Sequence, residues 1–184
     1  VPIIDRAELL GRLASKFKCV IAVAGTHGKS TTASLIYEIL RVAGKKVSCH
    51  IGADVFASRF DLKDEFLVVE ACEYNKSFLS LFPNIAVVTN IEPEHMDCYG
   101  SFYNLKNAFI TFIKRANKRF VMEEKSTEFL KKSKNIIRVQ ANENLNSKLK
   151  GEYNAKNISL SIAVAKELGI DEETINKVIS NFKG

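Results

Sequence analysis

The feature that most constrains this chain is the stretch Ala22-Val23-Ala24-Gly25-Thr26-His27-Gly28-Lys29-Ser30-Thr31-Thr32. An apolar run of β type, Cys19 to Ala24, leads into it. A helical pattern (Leu35, Ile36, Ile39, Leu40, Ala43) follows and stops at Gly44. Strand, glycine loop and helix in that order form the context in which backbone amides can cradle a phosphate. Gly25 and Gly28 let the chain turn tightly and leave no Cβ in the way of an anion. The loop amides and the first helical turn then face that anion, and the helix dipole adds to the attraction. In this reading Gly25, Thr26, His27, Gly28, Lys29, Ser30 and Thr31 surround the phosphates. Lys29 reaches the β/γ-phosphates and the Ser30 hydroxyl faces a Mg²⁺. The general form G-x-x-x-x-G-K-[ST] asks for glycine at position 23, where this chain has Val23. A plain glycine turn with a surface lysine would use the same residues; the strand-to-helix junction favours the phosphate.

Around this loop, apolar runs alternate with helical patterns. Short strands are predicted at Lys46 to His50, Phe66 to Val69, Ile85 to Val88, Arg119 to Met122 and Ile136 to Val139. Helices are predicted near the start, with Leu9, Leu10 and Leu13 on one face, and over Phe102 to Lys114, Thr127 to Lys132 and Asn154 to Leu168. A last helix is capped by Asp171 and runs to Phe182. Val1 to Ile4 reads as extended, Ile51 to Asp54 as a strand end, and Asn142 to Gly151 as a loop. Continuous apolar strands alternating with helices give an α/β fold: a three-layer parallel sheet with helices on both faces, a nucleotide-binding domain of the phosphate-loop type.

At 184 residues the chain fits one domain with a real core. The net charge of +6 is spread along the chain, as scattered solvated lysines are, so no nucleic-acid partner is expected. Cys19, Cys49, Cys72 and Cys98 have no C-x-x-C spacing and sit in or beside apolar runs, as buried free thiols in a reducing cytoplasm would. No apolar run approaches a membrane span.

In parallel sheets ligands bind beyond the carboxyl ends of the strands. Glu70 follows four apolar strand residues there, where a carboxylate can bind the cation that bridges nucleotide phosphates. His95 lies at the end of the next strand in Glu92-Pro93-Glu94-His95-Met96-Asp97. Imidazole is an unusual Mg²⁺ ligand, so chemistry alone leaves His95 open between a site residue and a surface loop residue. His27 is inside the glycine loop, with a side chain free to face away, and His50 ends a strand with no partner evident from sequence.

Three stretches together carry a resemblance: Gly25 to Thr32; Glu70-Ala71-Cys72-Glu73-Tyr74 with Ser77-Phe78-Leu79; and Thr89-Asn90-Ile91-Glu92-Pro93-Glu94-His95-Met96-Asp97. Arg6 to Leu10, Asn154-Ala155-Lys156-Asn157 and Glu167 to Ile170 extend it over nearly the whole chain. The chain resembles the central ATPase domain of the Mur ligases, most closely the branch that joins L-alanine to UDP-N-acetylmuramate. The resemblance implies that ATP phosphorylates a substrate carboxylate, and that an amine attacks the acyl phosphate to give an amide, ADP and phosphate. It implies Lys29, Glu70 and His95 as catalytic. Ser30 and Glu70 become ligands of one Mg²⁺, His95 becomes a ligand of a second, and Asn154 and Asn157 lie near the nucleotide base. It also implies that residues 1–184 are a middle domain, flanked in complete members by UDP-binding and amino-acid-binding domains absent from this sequence. UDP-N-acetylmuramate and L-alanine would be substrates of the complete enzyme only, and the isolated domain would not ligate.

The family pattern is broken in places. Phe109 stands where many members have a carbamylated lysine, in keeping with the L-alanine branch, and Tyr153-Asn154 replaces His-Asn. Residues 118–151 form a shorter stretch than usual in that branch. Two other readings stay open: a murein tripeptide ligase, which shares the Glu-Tyr pair, and a shortened, non-catalytic nucleotide-binding module.

Overall fold

The computed structural model describes residues 3–52, 59–132 and 135–183, of residues 131 and 132 the backbone alone. The expectations for Val1, Pro2, Ala53 and Asp54 fall outside it. Among the described residues six strands form one parallel sheet: β1 (Cys19–Ala24), β2 (Val47–His50), β3 (Phe66–Glu70), β4 (Ile85–Val88), β5 (Lys118–Met122) and β6 (Ile136–Val139). Their spatial order is β2-β3-β1-β4-β5-β6. The chain thus moves from the central β1 to one side for β2 and β3, then crosses over to build the other side. That reversal leaves a crevice at the carboxyl end of β1, where a doubly wound sheet receives ligands.

The helices are α1 (Arg6–Ala14), α2 (Lys29–Val42), the single-turn α3 (Met96–Tyr99), α4 (Phe102–Lys114), α5 (Glu152–Glu167) and α6 (Glu172–Asn181). Successive strand residues face opposite sides, and each side is covered. Ile21, Val23, Val68, Val87 and Phe120 point into a core closed by α2, α5 and α6. Ala22, Ala24, Leu67, Val69, Val88 and Val121 point into a second core closed by α4 and the segment around Phe78. The three-layer arrangement expected from the sequence is present.

Several local expectations are corrected. Leu9 is 44% exposed, so only part of the predicted leucine face of α1 is covered. Residues Lys125–Lys132 form a 3₁₀ helix rather than the α-helix predicted over Thr127 to Lys132. Cys72 is exposed and only Cys49 is fully buried, so the buried-thiol reading holds for one cysteine; Cys19 and Cys98 are intermediate. Val23 needs no glycine: it is still strand, fully buried and paired with Glu70 and Val87, and the turn begins two residues later. Phe109 is likewise fully buried, edge-on to Phe78 at 5.1 Å within the second hydrophobic core.

Candidate functional site

The glycine loop is shaped by its neighbours. Gly25 has φ 139°, and a Cβ there would lie 2.0 Å from Thr89 Oγ1; Gly28 has φ 81°, and a Cβ would meet Asn157 Oδ1 at 2.3 Å. Beyond β4, Thr89 and Asn90 fasten the loop. The Thr26 amide donates to the Asn90 carbonyl (3.0 Å) and the His27 amide to Asn90 Oδ1 (2.9 Å). Thr89 Oγ1 and Asn90 Nδ2 both donate to the His27 carbonyl. Thr26 Oγ1 accepts from the Glu92 amide at 2.8 Å. The loop then runs directly into α2, whose N-terminus opens on the crevice. No acidic residue lies in the first turn of α2, so the positive end of its dipole is left for an incoming anion.

Lys29 folds back over this loop. Its Nζ donates to the carbonyls of Gly25 and Thr26 and, at 3.2 Å, to Glu73 Oε1. Ser30 Oγ donates to Glu70 Oε2 at 2.9 Å, and the Gly52 amide donates to the same oxygen at 3.1 Å. Register explains the meeting of Ser30 and Glu70, since Glu70 pairs with Val23 in adjacent β1, two residues short of the turn that leads into α2. A hydroxyl and a carboxylate oxygen so placed fit a hard divalent cation at the phosphate edge.

Glu73 is 2% exposed, and its Oε2 has no hydrogen-bond partner although Lys29 Nζ is 3.1 Å away. Its backbone carbonyl accepts from the buried Tyr99 hydroxyl at 2.6 Å, which fixes it against α3. Burial pushes the Tyr99 phenol well above its ordinary value, so this donor keeps its proton. His95, in the left-handed conformation at φ 57°, caps α3 and sets Nε2 3.7 Å from Glu73 Oε1 and 4.0 Å from Glu94 Oε2. Ligand atoms of Glu73, Glu94 and His95 all lie within 4.8 Å of one another. A buried Glu73 carboxylate whose Oε2 accepts no hydrogen bond and faces only the Lys29 charge, set beside a second carboxylate and an imidazole, fits a divalent cation.

The structure therefore brings Lys29, Ser30, Glu70 and His95 to one crevice, with Glu73 linking the lysine to the histidine. Asn157 joins them through its contact with Gly28. Asn154 lies a turn earlier on α5, half-buried, and its Nδ2 donates to the Lys150 carbonyl at 2.9 Å. The His27 side chain is half exposed and turns toward Glu92 and Glu94, at 3.7 and 3.8 Å. Thr31 continues the first turn of α2, half-buried. His50 does have neighbours: it lines a cavity of about 220 Å³ with Arg6 and Glu70. Sequence reading gave Glu73 and Glu94 no role. The available signal was a second glutamate three positions past a strand-end glutamate, with another beside the histidine.

A model of the Mur ligase middle domain matches residues 23–143. The chain belongs to the Mur ligase family. As a Mur ligase middle domain it is 34% identical to a UDP-N-acetylmuramate–L-alanine ligase of Caldanaerobacter subterraneus subsp. tengcongensis, over all of this chain and 48% of that protein. A Myxococcus xanthus protein of the same name is 36% identical over all of this chain and 47% of its own length. The chain thus spans about half the length of these curated relatives. Among solved structures, the Neisseria meningitides UDP-N-acetylmuramate:L-alanyl-γ-D-glutamyl-meso-diaminopimelate ligase superposes with TM-score 0.85 at 24% identity, covering 100% of this chain and 72% of that one. The Thermotoga maritima UDP-N-acetylmuramate–alanine ligase superposes with TM-score 0.79 at 22% identity, covering 97% of this Mur ligase domain and 47% of that chain. At these identities the superpositions speak for the fold alone.

Proposed function

We propose that this chain is the ATP-binding middle domain of an amide-forming ligase of the UDP-N-acetylmuramate–L-alanine type, acting in peptidoglycan precursor synthesis in the cytoplasm. The observation that carries the reading is the convergence of Lys29, Ser30, Glu70 and His95 on the crevice at the ends of β1, β3 and β4. The loop amides and the α2 N-terminus bind the polyphosphate tail, and Lys29 adds a point charge at the β/γ-phosphates. Ser30 and Glu70 hold one Mg²⁺, and His95 holds a second. Bound there, the cations neutralise the phosphates and the substrate carboxylate, so that two anions can approach. Asn157 and Asn154 line the way out of the loop toward the base. UDP-N-acetylmuramate and L-alanine belong to the complete enzyme, whose flanking domains would supply their pockets; the middle domain alone binds nucleotide weakly at best and does not ligate.

A second reading, a murein tripeptide ligase, rests on the Glu73-Tyr74 pair. Substrate assays on a full-length protein separate the two. The nucleotide site is tested by calorimetry of ATP with Mg²⁺ on the wild type, Lys29→Ala and Glu70→Ala. Each substitution is expected to weaken binding at least about tenfold, the scale of a lost charge-assisted contact. Binding that is unchanged in both variants overturns the assignment.

A further inference from the structure

Lys29 has no free donor. A lysine ammonium carries three N–H groups, and here they go to the Gly25 carbonyl, the Thr26 carbonyl and Glu73 Oε1. It must give one up before it can serve a phosphate. Two of these partners belong to the loop itself; Glu73 is the charged one, on a different strand exit. Glu73 in turn depends on that one ammonium: both its oxygens face Lys29 Nζ, at 3.2 and 3.1 Å, and the buried Oε2 accepts no hydrogen bond from any other group. His95 Nε2 lies 3.7 Å from Glu73 Oε1, the oxygen that accepts from Lys29, and 4.0 Å from Glu94 Oε2. Donor atoms within 4.8 Å of one another match the spread around a single cation, whose ligands sit about 2.0–2.6 Å from it.

We propose that Glu73 is an exchangeable counter-ion: without a cation it holds Lys29, and a divalent cation bound among Glu73, Glu94 and His95 takes the carboxylate over and frees Lys29 for the phosphates. This rests on the nucleotide reading above and adds to it an order of events within the site. Cation and lysine compete for one buried carboxylate, so loading the cation position prepares the loop for nucleotide. Two carboxylates and an imidazole accept Mn²⁺ as readily as Mg²⁺, so Mn²⁺ can serve as the probe.

The test is a Mn²⁺ titration without nucleotide, read by electron paramagnetic resonance. A Glu70→Gln background silences the position beside Ser30. Lys29→Met removes the competitor and is expected to tighten Mn²⁺ binding about tenfold or more, since a positive charge a few ångströms away is worth that much in a half-buried site. Lys29→Gln, which keeps a donor for the loop carbonyls, is expected to do the same, and circular dichroism checks that both variants fold. Glu73→Gln or His95→Gln is expected to weaken Mn²⁺ about tenfold or more, and Glu73→Gln also to cancel the gain from Lys29→Met. Mn²⁺ affinity that is unchanged or weaker in both folded Lys29 variants overturns the exchange, as does full affinity in Glu73→Gln. That failure is separate from failure of the nucleotide site: calorimetric losses in Lys29→Ala and Glu70→Ala would still stand.

Discussion

At Gly28 a single methyl group would meet two obstacles. The backbone is left-handed at φ 81°, and the new Cβ would press on the Asn157 side chain at 2.3 Å. Left-handed geometry alone costs an L-residue about 1–2 kcal/mol. Gly28→Ala is therefore expected to destabilise the domain by about 2–3 kcal/mol in chemical denaturation, strain plus overpacking. In an Asn157→Ala background the loss should shrink toward the backbone share. Equal losses in the two backgrounds would show that the contact contributes nothing. The same residue shows what the sequence could tell: a Gly-x-x-Gly-Lys-Ser turn was legible because glycine has few reasons to recur beside a helix start. Which side chain fills the space of the missing Cβ was not legible, since Asn157 arrives from 129 positions away in the same layer as Ser161, whose hydroxyl donates to Thr32.

Among the elements, the strands were the most readable. Continuous apolar runs such as Phe66 to Val69 and Ile85 to Val88 mean burial on both faces, and those segments are strands within a residue. The Tyr74–Ser80 segment was unreadable because Asn75 and Lys76 adopt left-handed conformations at φ 50° and 58°, which no periodicity announces. It matters, because it follows Glu73 directly and carries Phe78 into the core against α4. Phe78 stacks on Phe112 at 5.0 Å and meets Phe109 edge-on. Phe109→Ala is expected to cost about 3–5 kcal/mol of unfolding free energy, the range for emptying a buried aromatic position. Phe109→Lys should unfold the domain at ambient temperature instead of creating a cation ligand, as monitored by circular dichroism. A folded Phe109→Lys protein would contradict the placement of α4.

For the molecule as a whole, the sheet separates duties: its two faces bind helices, and the carboxyl ends of its strands are left to chemistry. Among the described residues no helix is long and apolar enough to cross a membrane. His50 sits where the edge strand β2 meets that chemical end. Burial, then the nearby Arg6 charge, lowers its affinity for a proton below the ordinary 6.5, against a smaller opposite pull from Glu70. The folded state therefore binds fewer protons than the unfolded state as pH falls through about 6.5, and stability drops there. Melting temperatures measured from about pH 7.5 to about pH 5.5 should decline less steeply for His50→Gln than for the wild type. Identical slopes would remove His50 from the account.

The fastening of the glycine loop by Thr89 and Asn90 has a last consequence. The hollow takes its form from the exit of another strand, so it is cast when the sheet closes, before any guest arrives. An incoming polyanion meets a mould rather than a hinge, and little ordering entropy is left to be lost on its arrival.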